Sequence, residues 1–502
     1  MSIMGIDVGT TGVKAVAFDE KGKILSQAYR EYPLLNPIQG YYELNPELVW
    51  RFLSNCLQEV NANPAVLSDP VTVLAISSQG EAVIPISKDR KVLANSPVSS
   101  DQRSLKQSQE LVSALGIDQV YEITGQTINA NYPLLKILWW QRETPEIFSH
   151  TWKFLCYGDY VVMKLGLDPV IDYTMAARTL AFDIHQLGWS EAILNKVGLS
   201  KMYFADISPS GTVVGTISQN ISKELGFLTR VYVVTGGHDQ ACGALGAGVI
   251  QQFGEAMYSI GTTECVAPVV AKPHEGLKTI KVSCYPHVVL GQFIIITGSQ
   301  TGGRLLRWYK DEFGYKETVK AQQIKQSVYD IIVNQIPSDP SNLMVLPHFA
   351  GSGTAYNDPC SKGAILGLTF NTRRADIIKA ILEGITYEQA VNIEQLREAG
   401  VDVHRLRAVG GGSRCRAWMQ IKADILNTPI VSMTVSEASS LGAAMLAGWA
   451  LGTYSSLNEA VVRLVSEKEV FTPDPSKSKI YQEKLKIYQQ TYLSLREVNQ
   501  VI

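Results

Sequence analysis

The residues Ser2 to Gly9 form a short apolar run with one acid near its end, the pattern of a buried strand. GTTG follows as a turn. Val13 to Phe18 predicts a second strand, and DEKGK a turn into a third that begins at Ile24. Three strands joined by tight turns make a meander. Asn45-Pro46 then opens a helix, with Asn as N-cap and Pro at the first helical position. Val49, Phe52, Leu53, Cys56, Leu57 and Val60 recur at helical spacing and give that helix one apolar face. Val71 to Ser77 is again a strand. The order βββαβ, continued by further αβ units, predicts a mixed sheet with helices packed on it.

The pattern repeats weakly. IDVGTTGVKAVAF near the start is matched by YSIGTTECVAPVV, Tyr258 to Val270, and both read strand, glycine, two threonines, strand. Two copies of one unit predict two similar domains facing each other, divided into 1–247 and 248–502. The second half adds a helix from Ile377 to Gly400, a strand from Leu406 to Val409, a glycine break and a helix from Arg414 to Leu426. SEASSLGAAMLAG predicts a helix whose small-residue face can approach other backbone closely.

Composition narrows the class. The chain has 502 residues, 46 % hydrophobic and 18 % charged, with a formal net charge of −2, an ordinary globular profile of two or three domains. No long basic run favours a nucleic-acid partner. The opening MSIMGIDVG lacks the charged and apolar regions of a secretory signal. The segment Leu441 to Leu451 falls short of the roughly 20 apolar residues that cross a bilayer. Seven cysteines without CxxC spacing read as reduced thiols of a cytoplasmic protein, with neither a disulfide frame nor a zinc site.

Candidate chemistry sits at the glycine turns. A GTT turn exposes backbone N–H groups and two hydroxyls, Thr10 and Thr11 in the first copy, Thr262 and Thr263 in the second, and such a concavity binds anions, phosphate above all. Lys14, just past the first turn, either reaches a phosphate or is a solvated surface charge. Asp7, on the strand before it, either sits near a hydrated Mg²⁺ or accepts from a turn amide. GGGS, Gly410 to Ser413, lacks the GxGxxG spacing, and no P-loop occurs; its glycines either make a plain turn or let a flat ring such as adenine lie on the backbone. Glu437 to Gly442 is a candidate for the other side of that pocket. Asp239, after the strand and glycines of VVTGGHD, has the context of a helix N-cap, and equally of a general base at a cleft. His238 reads as structural.

Taken together, GIDVGTTGVKAVAFDEKG, SSQGE, SDQR, DYTMAARTLAFD, GGHDQACGALGAG, SIGTTE, AVGGGSRCRAWMQIKADIL and EASSLGAAMLAG resemble the FGGY carbohydrate kinases, of the actin, hexokinase and heat-shock-ATPase superfamily, in the family's order and over nearly the whole chain. The resemblance implies an α/β fold of two ribonuclease-H-like domains around a catalytic cleft, with ATP and Mg²⁺ held mainly against the second. It implies that Asp239 is the base for a sugar hydroxyl, and that Asp7, Gly9, Thr10, Thr11 and Lys14 face the phosphates and metal. Gly261, Thr262 and Thr263 would hold the phosphates from the opposite wall, Gly303 and Arg307 would contact phosphate or nucleotide, and Gly411, Gly412 and Ser413 would flank the adenosine. The sugar would be bound by Gln79, Gly80, Glu81, Asp101 and Arg103, with Asn131, Tyr132 and Gln240 as further candidates.

The chain departs from the family in places. Ser99 stands where many members carry a sugar-stacking tryptophan. QGE is neither the QMHG of xylulokinases nor the arginine–glutamate pair of glycerol kinases, and the run from SSQGE to GGHDQ is most similar to the L-fuculokinase-like branch. Cys415 and Arg416 replace smaller or amide residues after GGGS. The expected activity is transfer of the ATP γ-phosphate to a hydroxyl of a ketose or polyol, L-fuculose-like or a pentulose such as xylulose, with gluconate also open. A homodimer is one expected state, because dimers are common among similar proteins. The alternative from another class is a nucleotide-gated binding protein of the same superfamily. A nicotinamide-dependent dehydrogenase fits poorly, since strand rather than helix follows the first glycine turn.

Overall fold

The computed structural model describes residues 2–251 and 253–502. The meander forms as its pattern predicts: β1 (Ser2–Val8), β2 (Gly12–Phe18) and β3 (Ile24–Glu31) are antiparallel neighbours. On the other side of β1 lie β4 (Val71–Ser78) and then β6 (Tyr232–His238), both parallel, with β5 (Val213–Thr216) antiparallel at the edge. The sheet order is β5-β6-β4-β1-β2-β3.

A second sheet repeats this plan. Its central strand is β7 (Glu255–Ile260), paired antiparallel with β8 (Glu264–Val270), which pairs antiparallel with the strand Phe293–Ser299. On the other side, β7 is parallel to the strand Arg405–Val409, that strand is parallel to Ile430–Met433, and Glu467–Phe471 closes the edge antiparallel. Strand for strand, order and direction match the first sheet; Ser283–Pro286 is an added edge strand. The internal repeat of GTT hairpins thus reports two copies of one α/β topology, the ribonuclease-H-like arrangement.

The helices follow their caps. In α1 (Pro46–Asn61) the Asn45 side chain accepts from Leu48 N at 3.1 Å, as expected for an Asn-Pro start. The other helices that matter below are α2 (Tyr173–Ala177), α3 (Asp239–Gly246), α4 (Gly303–Phe313), α5 (Arg374–Glu398), α6 (Arg416–Leu426) and α7 (Ala438–Ala450). One apolar core surrounds the first sheet, a second lies between the second sheet, α5 and α6, and a smaller one gathers around Leu134, Trp140 and Phe154.

Helix α7 belongs to the second half of the chain but packs on β1, β4 and α3 of the first core. Its small residues are what allow this. A Cβ at Gly442 would stand 1.9 Å from Cys242 O, one at Gly246 2.0 Å from Ala438 O, and one at Gly5 1.8 Å from Ser440 O. Backbone meets backbone here, so no side chain larger than hydrogen fits. Gly442 therefore serves this helix contact.

Candidate active site

Strands β1, β4 and β6 are parallel and end at one edge, which brings distant residues side by side. Asp7 pairs in register with Ser77, and Ser77 with Gly237. The Asp7–Gly9, Gln79–Glu81 and His238–Gln240 segments therefore emerge together, at the carboxyl ends of parallel strands where α/β proteins bind ligands.

Asp239 is the first residue of α3, and its side chain caps nothing; His238 occupies the cap position. The N-cap reading of Asp239 is thus corrected. Its carboxylate is held down somewhat by hydrogen bonding to Gln240, which leaves one oxygen over. His238 Nε2 lies 3.2 Å from Asp239 Oδ1 but off the hydrogen-bond direction, so this buried oxygen has no hydrogen-bond partner among the described residues. The side chain as a whole is 26 % exposed, enough to be reached. Burial, with the charges of Asp7 and Glu81 adding to it, pushes the Asp239 carboxyl up to about 7. Burial likewise raises Asp7 to about 6, against the hydrogen bond that Ser77 Oγ donates to its Oδ1 at 2.9 Å. His238 is held neutral by burial and by the Arg178 charge, and its Nδ1 is 2.7 Å from the Tyr285 hydroxyl.

The first GTT turn joins β1 to β2, with Gly9 N donating to Gly12 O at 3.0 Å. Thr11 is exposed, while Thr10 Oγ1 donates to Gln79 Oε1 at 2.7 Å and Gln79 Nε2 donates to Gly9 O at 3.3 Å. Gln79, expected at the sugar, has its side chain bracing this turn instead. Lys14 forms an ion pair with Glu437, at the start of α7, rather than standing as a solvated surface charge.

The other first-half candidates split in two. Asp101 is fully buried and both its oxygens are taken, by Tyr42 N (2.7 Å) and by Arg103 (Nε 2.8 Å, NH2 2.8 Å). Arg103 also reaches Glu43 at 2.7 Å and lies over the rings of Tyr41 and Trp139. This pair is a wall clasp rather than a set of free donors and acceptors. Glu81 instead meets Arg178, the residue after α2: Nε donates to Glu81 Oε1 at 2.6 Å, NH2 bonds the same oxygen, and NH1 reaches Gln126 Oε1 at 2.9 Å. Tyr132 also donates to Gln126 Oε1, at 2.8 Å, and its ring lies under Arg178. Gly80 packs tightly on this pair, since a Cβ would approach His238 Nε2 to 3.0 Å and Arg178 Cγ to 3.4 Å. Besides Asp239 Oδ1, two further acceptors of candidate residues are buried without a hydrogen-bond partner, Gln240 Oε1 and Asn131 Oδ1.

On the opposite wall the nucleotide candidates converge. The second GTT turn, Gly261 to Thr263, is exposed between β7 and β8. Gly303 N at the start of α4 donates to Gly261 O at 2.9 Å, and Gly302 N donates to Thr262 O at 3.0 Å. Gly412 presses on Ile260, the last residue of β7; a Cβ there would come within 2.3 Å of Ile260 Cγ2. A Cβ at Gly411 meets nothing within 4 Å, so its face is open. Ser413 turns inward, with Oγ donating to Gly410 O at 2.7 Å. Arg307 is exposed one turn along α4, and its charge is felt at the Tyr29 hydroxyl of β3, in the first half.

Composition and spacing did not single out Arg178, Tyr285, Gln126, or the buried triad behind the second turn. In that triad Lys422 Nζ of α6 donates to both oxygens of Glu264 (2.8 Å each) and to Tyr258 OH (2.7 Å), all three groups fully buried. The available signal was a lone Arg or Lys inside an otherwise apolar run.

Family models match both halves of the chain. The N-terminal domain of the FGGY family of carbohydrate kinases matches residues 2–246, and its C-terminal domain residues 256–451. The chain belongs to the FGGY family of carbohydrate kinases. This kinase is 30 % identical to the xylulose kinase of Bacillus subtilis over 99 % of its own length and 98 % of the relative's. It is 28 % identical to the gluconokinase of the same organism, over 97 % and 94 %. In structure it resembles the xylulose kinase from Lactobacillus acidophilus (TM-score 0.87, 24 % identity, 99 % and 98 % covered). It also resembles the glycerol kinase of Plasmodium falciparum (TM-score 0.83, 23 % identity, 98 % of each chain). The protein is an ATP-dependent sugar kinase, and the nucleotide-gated alternative falls away. Among the described residues no helix is long and apolar enough to cross a membrane.

Proposed function

We propose that this kinase transfers the ATP γ-phosphate to a hydroxyl of a ketose or polyol bound beside Asp239. The observation that carries the reading is the set of buried acceptors without partners, Asp239 Oδ1, Gln240 Oε1 and Asn131 Oδ1. A buried acceptor left unsatisfied costs about 1–3 kcal/mol, and a polyhydroxylated ligand supplies the missing donors. Relatives named xylulose kinase and gluconokinase bracket the acceptor between a neutral ketulose and an aldonate.

Asp239 acts as general base. Its carboxyl, raised to about 7, is basic enough to accept the hydroxyl proton yet ionised in a large fraction at neutral pH. Neutral His238, fixed by Tyr285, supports it from behind without adding a competing positive charge. The two GTT turns, through exposed Thr11 in the first and exposed Thr262 and Thr263 in the second, hold the phosphates from two sides, and the open face of Gly411 takes the adenosine. Arg307 and Gly303 stand at the same wall.

Mg²⁺ fits this cleft. The charge of Asp7 helps raise the Asp239 carboxyl, a repulsion that a divalent cation relieves. Among the described residues no group of three or more His, Cys, Asp or Glu side chains is arranged to hold a metal, so Asp7 would act through water and phosphate oxygens would complete the shell. The ion offsets phosphate charge when bound. The seven unpaired cysteines suit the reducing cytoplasm, where we place the protein.

A coupled assay of ADP release across ketoses, polyols and aldonates tests the assignment. Sugar-dependent release is expected. A response that is flat for every sugar would remove it.

A further inference from the structure

A neutral ketulose and an aldonate differ by one carboxylate, so the charges around Asp239 discriminate between them. We propose that the buried Glu81–Arg178 pair makes this site selective for a neutral polyhydroxylated acceptor and excludes aldonates, a proposal that rests on the Asp239 cleft being the sugar site. Arg178 is the cation bonded to Glu81, and its charge is felt at His238, next to Asp239. Arg178 spends Nε and NH2 on Glu81 Oε1 and NH1 on Gln126 Oε1. Both members are less than one-tenth exposed, so neither charge is diluted by water.

Neighbouring cations are committed too. Lys136 Nζ, fully buried, donates to the carbonyls of Glu81 (2.7 Å) and Val98 (2.7 Å). Arg103 is held by Asp101 and Glu43, and Lys14 by Glu437. Asp7 and Asp239, at the ends of strands that flank β4, add two carboxylates to the same space, and the charges of Asp7 and Glu81 help raise the Asp239 carboxyl. A second carboxylate in that space meets like charge at short range, worth on the order of a hundredfold in binding even at an effective dielectric of about 20.

Hydrogen-bonding capacity points the same way. The unpartnered buried atoms of Asp239, Gln240 and Asn131 are acceptors, three of them set against one unpartnered donor, Nε2 of the Gln126 amide that Arg178 bonds. A hydroxyl can donate to them, whereas an ionised carboxylate offers only acceptors.

The test uses the full-length protein with MgATP, comparing kcat/KM for neutral ketuloses, D-xylulose among them, with that for D-gluconate. The best ketulose is expected to exceed gluconate by more than tenfold. Glu81→Gln leaves Arg178 unmatched and should cut this ratio at least tenfold, while Arg178→Gln should not lower it. A wild-type ratio below tenfold, or a Glu81→Gln ratio that stays put, overturns the proposal. Should Glu81→Gln fail to fold, the wild-type ratio alone decides. Gluconate turned over while ketuloses stay silent would sink the selectivity and spare the kinase assignment; silence with every acceptor would undo the reading of the cleft itself.

Discussion

Asp239, in its proposed role as base, shows what such a residue costs its fold. Its carboxyl titrates near 7 in the folded protein instead of near 3.8, so between those values the folded state holds more protons than the unfolded one. Stability therefore falls as pH rises through that window, and above about 7 the full penalty is present, roughly 4 kcal/mol for a shift of this size before screening by the open cleft. Asp239→Asn removes the charge and keeps the shape. It should cut kcat by about 10²–10⁴-fold and raise the melting temperature at pH 8, with the gain shrinking at pH 5, where the wild-type acid is already protonated. Calorimetry at the two pH values checks this, and near-normal turnover in the variant would take Asp239 out of the mechanism. In the wild type, kcat/KM should fall as pH drops below about 7, because a protonated base accepts nothing. The sequence put Asp239 at the right joint but misjudged its cap, since the strand-Gly-Gly-Xaa-Asp pattern does not say which of two adjacent residues starts the helix. Arg178 escaped altogether because its partner Glu81 lies 97 positions away, and only the fold makes them neighbours.

At the scale of elements, the hairpins and helices were legible because each is set by local pattern: alternation, Asn-Pro at a start, glycine at a stop. What joins them was not. Gln79 reads as a substrate residue from its place after β4, yet its amide clamps the β1–β2 turn through Thr10 and Gly9. Gln79→Ala should loosen that turn and raise the KM for ATP by about tenfold, the loss of one or two hydrogen bonds, while the KM for sugar moves less. An equal or larger effect on the sugar KM would return Gln79 to the sugar site. The second turn has its own brace in Lys422, which neutralises Glu264 directly behind Thr263. Lys422→Met strands a fully buried carboxylate and should destabilise the protein by about 3–5 kcal/mol, read by urea unfolding. Replacing Lys422 and Glu264 together by apolar residues should recover much of that loss.

The whole molecule joins its halves more tightly than the repeat suggests. The repeat in the sequence predicts a division after residue 247, and two sheets of the same order show that the topology is copied. Packing follows a different line. Helix α7 lies almost 200 residues beyond that point, but its Leu441, Met445 and Leu446 are buried in the first core, and its glycine meets the backbone of α3. Small residues in SEASSLGAAMLAG signalled a close approach, but not to which partner, because contact across the cleft is a property of three-dimensional arrangement. The Lys14–Glu437 pair strengthens the same seam. A fragment of residues 1–247 would leave the faces of β1 and β4 that α7 covers open to water, at about 25 cal/mol per Å² of apolar surface. Such a fragment should not melt cooperatively on its own and should bind a hydrophobic dye. Co-expressed with 248–502, it should regain a single transition, because α7 then returns to its groove. A monomeric 1–247 fragment with a sharp melt and no dye binding would mean that α7 rests on a finished domain, and that opening and closing of the cleft leaves the first core untouched.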